Sequence, residues 1–291
     1  MRYTAALLLI LAPQAQAQVA IETEPARPSR GSLIRLHVTP TITDLVSGIQ
    51  GEIDEEPLHF TSSNGGITWE GLAPVPVEGG DSLPILLVLL HSRGSDTVRT
   101  AIAVTQPTYP SERLSVAPRM AEPDSAGRAR IARDIARARA VSRAAHGTEQ
   151  LWEGGFLLPR TSRVTSAFGT GREYNGKVTS RHLGTDFNGR VGDPIVATNR
   201  GRVALVARFY LAGNVIYLDH GGGLISAYFH VSRSLVRIGD VVEKGQLIGR
   251  VGQTGRVTGP HLHWVMRYGG VTLDPMSVLS LLGRDSVQSQ R

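Results

Sequence analysis

Alternation of apolar and polar residues marks the N-terminal third of the chain as a series of short strands. Four side chains there recur at every second position and so share one strand face: Val98, Thr100, Ile102 and Val104. The preceding run from Ile85 to Leu90 is apolar throughout, which is typical of a buried strand, and Pro84 stands directly before it. We therefore predict an N-terminal β-sandwich, immunoglobulin-like in form, over residues 18–106.

Prolines interrupt this strand pattern. Each restricts the residue before it to extended conformations, which predicts a linker. The prolines concerned are Pro107, Pro110, Pro118 and Pro123. A helical period follows, and Asp124 or Ser125 can cap the helix while Gly147 can end it. Its apolar face predicts packing along one side of a neighbouring domain and is formed by Ile131, Ile135 and Ala138. Residues 107–150 are thus predicted to be a Pro-rich linker plus one basic α-helix.

The formal net charge of +6 is concentrated in this helix. Between Ala126 and His146 the only acidic residue is Asp134, against six arginines: Arg128, Arg130, Arg133, Arg137, Arg139 and Arg143. Such a segment could bind nucleic acid or an anionic envelope polymer. Because it lacks interleaved aromatic residues for base stacking, we expect no nucleic-acid partner. The remaining alternatives are an anionic polymer and a helix face that is merely solvated.

The C-terminal half contains a weak internal repeat. The stretches Gly192–Val196 and Gly201–Val203 are echoed by Gly239–Val242 and Gly249–Val251. The repeat predicts two similar β-units in one domain, which we place at residues 151–283. With 33 glycines and 5% aromatic residues, the composition favours a mainly β, turn-rich chain.

The chain begins with the features of an export signal. Met1-Arg2 precedes an apolar run from Ala5 to Leu11, and Ala15-Gln16-Ala17 forms a small-residue cleavage site. We predict a signal peptide over residues 1–17 and a flexible tail over 284–291. The apolar run is much shorter than the roughly 20 residues that a spanning helix needs, so we expect an exported protein that does not span the membrane. Periplasm and cell exterior both remain open.

Histidines and one aspartate supply the candidate chemistry, because the chain has no cysteine and any metal site must use nitrogen and oxygen ligands. His182 and Asp186 are four residues apart, about 13 Å in a straight strand, which is too far for both to reach one ion. The chain must therefore bend between them, and Gly184 can provide the backbone freedom for a turn.

A second cluster, His261-Leu262-His263, has two imidazoles at strand spacing, so both project from one face. One of them can bind a metal while the other hydrogen-bonds a metal-bound water, and Trp264 should point into the core. Two histidines and one aspartate would leave a tetrahedral zinc an open position for water, as in catalytic sites. The chain has no His-Glu-x-x-His motif, so histidine is the next candidate for the base. A structural or surface role for the same histidines is the alternative.

These residues resemble the lysostaphin/LytM-type zinc endopeptidases, which cut peptides of bacterial cell-wall peptidoglycan. The resemblance covers residues 158–279 and implies a β-rich duplicated hybrid motif fold. Its ordered motifs are Ser166-Ala167-Phe168-Gly169, His182–Phe187, Gly213-Asn214, Asp219-His220-Gly221, Tyr228-Phe229-His230 and Gly259–His263.

The resemblance also implies a role for each site residue. His182, Asp186 and His263 would hold one Zn²⁺ per chain. His230 and His261 would position and deprotonate the water, in a division of duties that the sequence leaves open. Tyr174 corresponds loosely to a tyrosine that supports the oxyanion.

We therefore expect a monomeric zinc metalloendopeptidase acting on peptidoglycan cross-links or stem peptides. The alternative is a non-catalytic peptidoglycan-binding protein or an activator of another cell-wall hydrolase. The chain departs from the pattern of the family at two places, Phe168-Gly169-Thr170-Gly171-Arg172 and Trp264-Val265. Both places touch the cleft walls, so the sequence does not determine which peptide bond is cleaved.

Overall fold

The computed structural model describes residues 19–42, 44–176 and 178–283. The predicted signal peptide at 1–17 and tail at 284–291 lie outside the described residues. Strands dominate the rest, in agreement with the predicted mainly β class. Within the described ranges, each helix is too short or too polar to cross a membrane.

Seven antiparallel strands form the N-terminal region. They are β1 (Val19–Glu24), β2 (Leu33–Pro40), β3 (Val46–Ile53), β4 (Glu56–Thr61), β5 (Trp69–Pro74), β6 (Ser82–His91) and β7 (Gly94–Ala103). They follow one path in the order β1-β2-β5-β4-β3-β6-β7. Burial alternates along β6, with Ile85, Leu87 and Leu89 inside, whereas β7 at the end of the path is largely exposed. The immunoglobulin-like form remains a prediction.

The segment predicted as a linker is more structured than expected. It contains the strand β8 (Ser111–Leu114) and the short helix α1 (Pro118–Ala121). Strand β8 pairs in parallel with β10 (Gly171–Tyr174) of the C-terminal half. Proline restriction correctly indicates extended backbone, but the partner strand lies some sixty residues away and leaves no local signal.

The basic helix α2 (Ser125–Ala144) begins where predicted, but its α-helical part ends before Gly147, the predicted stop. The Asp124 side chain accepts a hydrogen bond of 2.7 Å from the Gly127 amide, and a single 3₁₀ turn (Ala145–Gly147) follows the helix. Its predicted apolar face is covered only in part, because Ala138 is buried against the C-terminal sheet while Ile135 is 59% exposed.

The C-terminal half consists of short strands and one helix: β9 (Val164–Ser166), β10 (Gly171–Tyr174), β11 (Val178–Arg181), β12 (Thr185–Asn188), β13 (Pro194–Val196), β14 (Gly201–Phe209), β15 (Gly213–Gly221), β16 (Leu224–Phe229), β17 (Arg233–Ser234), β18 (Val241–Val242), β19 (Leu247–Arg250), β20 (His261–Tyr268), β21 (Val271–Leu273) and α3 (Pro275–Leu282). The main sheet runs β18-β14-β15-β16-β20-β12-β9, with β21 also on β20. Smaller sheets are β13-β19-β17 and β11-β10-β8.

The internal repeat is visible in the strand pairing. Strand β13 of the first unit pairs with β19 of the second, and β14 of the first pairs with β18 of the second. The two turns also match, because Asp193 accepts from the Arg190 amide at 2.9 Å and Asp240 accepts from the Arg237 amide at 2.8 Å. The units therefore exchange strands reciprocally, which confirms the predicted duplication.

The N-terminal and C-terminal regions are in direct contact. The Leu33 amide donates to Ser277 Oγ at 3.0 Å, and the Tyr268 hydroxyl donates to the Pro57 carbonyl at 3.0 Å. Glu56, only 1% exposed, accepts from Arg143 of α2 at 2.8 Å. Sheet, helix and C-terminal half are thus joined by buried polar contacts as well as by apolar packing.

Candidate metal centre and catalytic histidines

The turn between β11 and β12 brings His182 close to Asp186. Gly184, at the middle of this turn, has no positive φ, so conformational freedom is not the reason for a glycine there. Space is the reason: a Cβ at Gly184 would lie 2.5 Å from His263 Cε1 and 2.7 Å from the Trp264 carbonyl oxygen. The bend is as predicted, but its glycine is required by the close approach of the facing strand.

The facing strand β20 carries the second histidine cluster. His261 and His263 lie on one face of it, while Trp264 is fully buried on the other, as the two-residue period predicts. Antiparallel pairing of β12 with β20 places Asp186 directly opposite His263. Pairing between the strands therefore assembles the two clusters that the sequence keeps 77 positions apart.

Three atoms that could bind a metal ion lie close together where β12 faces β20. His182 Nε2 lies 3.0 Å from Asp186 Oδ1, His263 Nδ1 lies 2.7 Å from the same oxygen, and the two nitrogens are 2.9 Å apart. His182 Nδ1 donates to the Ala167 carbonyl at 2.8 Å, which leaves the lone pair of Nε2 facing the carboxylate. The lone pair of His182 Nε2 and the Asp186 carboxylate therefore face one another, and a metal ion bound between them would take up both.

The protonation states favour metal binding as well. Burial by itself would raise the pKa of Asp186, but His263 and His182 beside it hold that pKa well below its usual value. Burial lowers the pKa of His263 to about 4 despite the nearby Asp186 carboxylate. Near neutral pH this pair therefore presents an ionised oxygen and a neutral imidazole, the forms that bind zinc. Among the described residues, His182, Asp186 and His263 are the one group with a metal-binding arrangement.

A guanidinium and a carboxylate that the sequence analysis did not assign support the aspartate. Arg172 donates to Asp186 Oδ2 at 2.6 Å and to Glu112 Oε1 at 2.6 Å. It also donates to Ser166 Oγ at 3.0 Å. Arg172 stands in the stretched Phe-Gly motif, which the sequence placed at the cleft walls and not at the metal centre. Glu112 belongs to β8, in the supposed linker, and its local sequence contains no such signal.

The two remaining histidines face the same site. His230 Nδ1 donates to the Thr254 carbonyl at 2.7 Å, and His261 Nδ1 donates to the Gly259 carbonyl at 2.9 Å. In its neutral form each ring therefore presents an unprotonated Nε2. Their centroids are 4.8 Å apart, and His261 Nε2 lies 3.7 Å from Asp186 Oδ1. The structure thus brings together all five residues singled out in the sequence.

His230 is held firmly. Its backbone has φ +61°, a left-handed conformation that is uncommon for a residue with a side chain. The Thr254 hydroxyl donates to the Val231 carbonyl at 3.2 Å and accepts from the Asn214 amide at 2.9 Å. The loop whose carbonyl accepts the His230 hydrogen bond is therefore itself anchored. Burial, reinforced by His261 and His263, keeps the pKa of His230 well below its usual value. The ring is thus neutral and fixed in orientation.

Tyr174, the residue with a proposed oxyanion role, lines the same cleft as His230 and His261. It is 4% exposed at the end of β10, and Arg256 lies over its ring at 4.0 Å from the centroid. The cleft has an empty volume of about 770 Å³ including its open mouth. Its walls come partly from β8, so the segment expected to be a linker borders the site.

His220, which belongs to one of the motifs of the resemblance, is fully buried away from this cleft. It lies between the Arg200 carbonyl at 2.7 Å and Ser226 Oγ at 2.7 Å. Burial lowers its pKa to about 4, which keeps the ring neutral.

Comparisons with known proteins converge on the same half of the chain. Residues 180–275 match peptidase family M23. Peptidoglycan DD-endopeptidase ShyC of Vibrio cholerae serotype O1 is 40% identical over 118 residues, which are 40% of this chain and 27% of ShyC. DD-carboxypeptidase/endopeptidase Mpg of Neisseria meningitidis serogroup B is 34% identical over 128 residues, 43% of this chain and 30% of Mpg.

A crystal structure described as a putative peptidase M23 from Pseudomonas aeruginosa shares the fold. The superposition has a TM-score of 0.65 at 24% identity and covers 87% of this chain and 95% of the other. The likeness therefore extends beyond the C-terminal half. By contrast, the chain spans only about a quarter of the length of the first curated relatives that it matches.

Proposed function

Because residues 180–275 match peptidase family M23, we propose that the chain is a zinc metalloendopeptidase that hydrolyses peptide bonds of bacterial peptidoglycan. The observation that carries the proposal is the convergence of His182, Asp186 and His263 beside two histidines with free Nε2 atoms. A structural zinc site would have no use for that adjacent pair of bases.

The relatives support the substrate class. ShyA, ShyB and ShyC are each named a peptidoglycan DD-endopeptidase, and they match at 38–40% identity. The matched part of each is about a quarter of its length, so the activity of the present chain is inferred from its own site together with that likeness.

In this mechanism, zinc held by His182, Asp186 and His263 would polarise the scissile carbonyl and lower the pKa of the attacking water. His261 or His230 accepts the proton of that water through Nε2, since each ring uses Nδ1 to donate to a carbonyl. The proton then passes to the leaving amine as the C–N bond breaks. Tyr174 borders the cleft where the oxyanion forms, and we retain oxyanion support as its proposed role.

Export, to the periplasm or the cell exterior, is part of the proposal and is supported by the signal-like segment at residues 1–17. N-terminal sequencing of the secreted protein would test it, with Gln18 expected as the first residue. Retention of Met1 in the functional protein would contradict export by this route.

We also propose that the arginine-rich helix contacts anionic envelope polymers. Arg133 and Arg137 are exposed on α2, whereas Arg130 and Arg143 are engaged with Asp134 and Glu56. Binding to such a polymer should weaken as salt rises, because exposed charges are screened beyond roughly 10 Å at 0.1 M ionic strength. Salt-insensitive binding would argue against this role.

We propose that the N-terminal region positions the enzyme on the wall or shields its cleft. Its contacts with the C-terminal half, such as the hydrogen bond from the Leu33 amide to Ser277 Oγ, support this proposal. Comparing the whole exported chain with a fragment that begins at Leu151 would test it. Unchanged activity and wall binding in the fragment would remove both roles.

The decisive experiment on activity uses the purified exported chain with purified sacculi. We expect about one zinc per chain, release of new amino groups from the sacculi, loss of release with a chelator and restoration by zinc. Mass spectrometry of the fragments identifies the cleaved bond. A chain that holds zinc yet releases no amines from sacculi of any cross-link type would be a binder or an activator. In that case a His261→Ala variant would keep full cellular function.

A further inference from the structure

The cleft contains a cation that has no carboxylate partner. Arg256 lies between β19 and β20, on the loop that also carries Thr254. Its guanidinium lies over the ring of Tyr174, interacts with the hydroxyl of that tyrosine and donates a long bond of 3.5 Å to the Met120 carbonyl. Among the described residues, no acidic side chain pairs with Arg256.

The other cleft arginine is different in this respect. Arg172 is paired with Asp186 and Glu112, both at 2.6 Å. The charge of Arg172 is therefore already neutralised by two carboxylates, and Arg172 is not available to bind a substrate anion. Arg256 is partly buried, and burial lowers its pKa, as expected for a guanidinium without a counter-ion. A partly buried guanidinium without a counter-ion costs free energy unless a bound ligand supplies a negative charge.

The position of Arg256 is fixed by the structure around it. The Arg256 amide donates to the Leu211 carbonyl at 2.7 Å, and the preceding Gly255 has φ +83° with no room for a Cβ. Two residues earlier, the Thr254 carbonyl accepts the hydrogen bond from His230 Nδ1. One anchored loop therefore sets both the catalytic histidine and the guanidinium, and both line one cleft.

We propose that Arg256 is a specificity residue that binds a substrate carboxylate close to the scissile bond. The inference rests on the proposed endopeptidase function. An arginine held on an aromatic face keeps its planar fork available for bidentate binding of a carboxylate.

The proposal distinguishes between cross-link types. In a cross-link from D-alanine to the side-chain amine of diaminopimelate, the carbon bonded to the scissile nitrogen carries a carboxylate. Lysine at the same place has no such carboxylate, and neither do the inner residues of a glycine bridge. Arg256 therefore favours the diaminopimelate cross-link with its carboxylate free, and amidation of that carboxylate should remove the preference.

Two synthetic peptides with the D-alanyl–diaminopimelate bond test this, one with the free carboxylate and one with its carboxamide. For the exported chain with zinc we expect kcat/KM to be at least about tenfold higher on the carboxylate peptide. Arg256→Gln should reduce kcat/KM on that peptide by about 10- to 100-fold and change the carboxamide peptide less than about threefold. Arg233→Gln, the same substitution on the exposed β17, is the matched control and should change neither value.

The binding arm uses the His261→Ala background and calorimetry with the same two peptides. Tighter binding of the carboxylate peptide, abolished by adding Arg256→Gln, supports the assignment even if the chain cleaves neither peptide. That combination would refute the proposed function alone. Equal kcat/KM and equal affinity of the unmodified chain for the two peptides would overturn the assignment. An equal fall of kcat/KM on both peptides in Arg256→Gln would overturn it as well. If Arg256→Gln does not fold, Arg256→Lys must lower the carboxylate preference, and an unchanged preference overturns the assignment.

Discussion

Replacing Gly184 by alanine should damage the metal centre by displacing one ligand. The added Cβ would lie 2.5 Å from His263 Cε1 and 2.7 Å from both His263 Nε2 and the Trp264 carbonyl oxygen. The carbonyl cannot easily move, because β20 is paired with β12, β16 and β21. Relief to an ordinary contact therefore requires the imidazole, or the Gly184 turn that carries His182, to shift by almost 1 Å.

Such a shift is large for a zinc site, where ligand distances are held to about ±0.2 Å. We expect zinc affinity to fall at least tenfold, equivalent to about 1.4 kcal/mol or more. Overpacking should also cost the metal-free protein about 1–3 kcal/mol of unfolding free energy, offset in part by roughly 0.4–1 kcal/mol from reduced chain entropy in the unfolded state.

Competition with a chromophoric chelator measures the zinc affinity, and denaturant unfolding with zinc removed measures the stability. Gly147→Ala is the matched control, since a Cβ there meets nothing within 4 Å and φ is not positive. Zinc affinity in Gly184→Ala within twofold of the unmodified chain, with unchanged stability, would refute the steric account.

Three further predictions concern the same centre and the core behind it. Asp186→Asn keeps the side-chain shape but removes the charge. Zinc affinity should therefore fall by more than about 100-fold, which is the upper range for loss of a group that supports a ligand. Tight zinc binding by this variant in equilibrium dialysis would exclude Asp186 as a ligand. His230→Ala should retain zinc but lose about 10²- to 10⁴-fold in kcat, the range for general acid–base groups, and loss of zinc instead would reassign His230 as a ligand. The folded-state pKa of His220 is about 4, below the 6.5 of an unfolded histidine, so the unfolded chain binds more protons between these values. The contribution of His220 to the free energy of unfolding is therefore complete above about pH 6.5 and declines as pH falls toward 4. In the zinc-free protein, His220→Gln should make the free energy of unfolding, measured with denaturant, depend less on pH over this range. An unaltered pH dependence would contradict the prediction.

Local patterns were sufficient to predict several features of this protein. The two-residue period correctly places Trp264 in the core opposite His261 and His263, because side-chain direction in a strand depends only on position. The bend between His182 and Asp186 followed from the short bonds of a shared metal ion. The capping preference of Asp124 or Ser125 predicted the start of α2 to within one residue. Repeated glycine–aspartate turns indicated the duplication, since the same turn geometry requires the same residues.

Only the tertiary structure decided which distant residues support the centre. Spacing alone gave no reason to connect His230 with the two clusters; the family resemblance supplied that connection. The Thr254 carbonyl that orients its ring is 24 positions away. Glu112 reaches Arg172 through a parallel pairing of β8 with β10, and Arg256 meets Tyr174 across the cleft. These contacts arise from chain crossings, which leave no periodic trace in sequence. The sequence therefore indicated the ligand types and their strand geometry, whereas the folded chain determined the hydrogen bonds and charges that tune them.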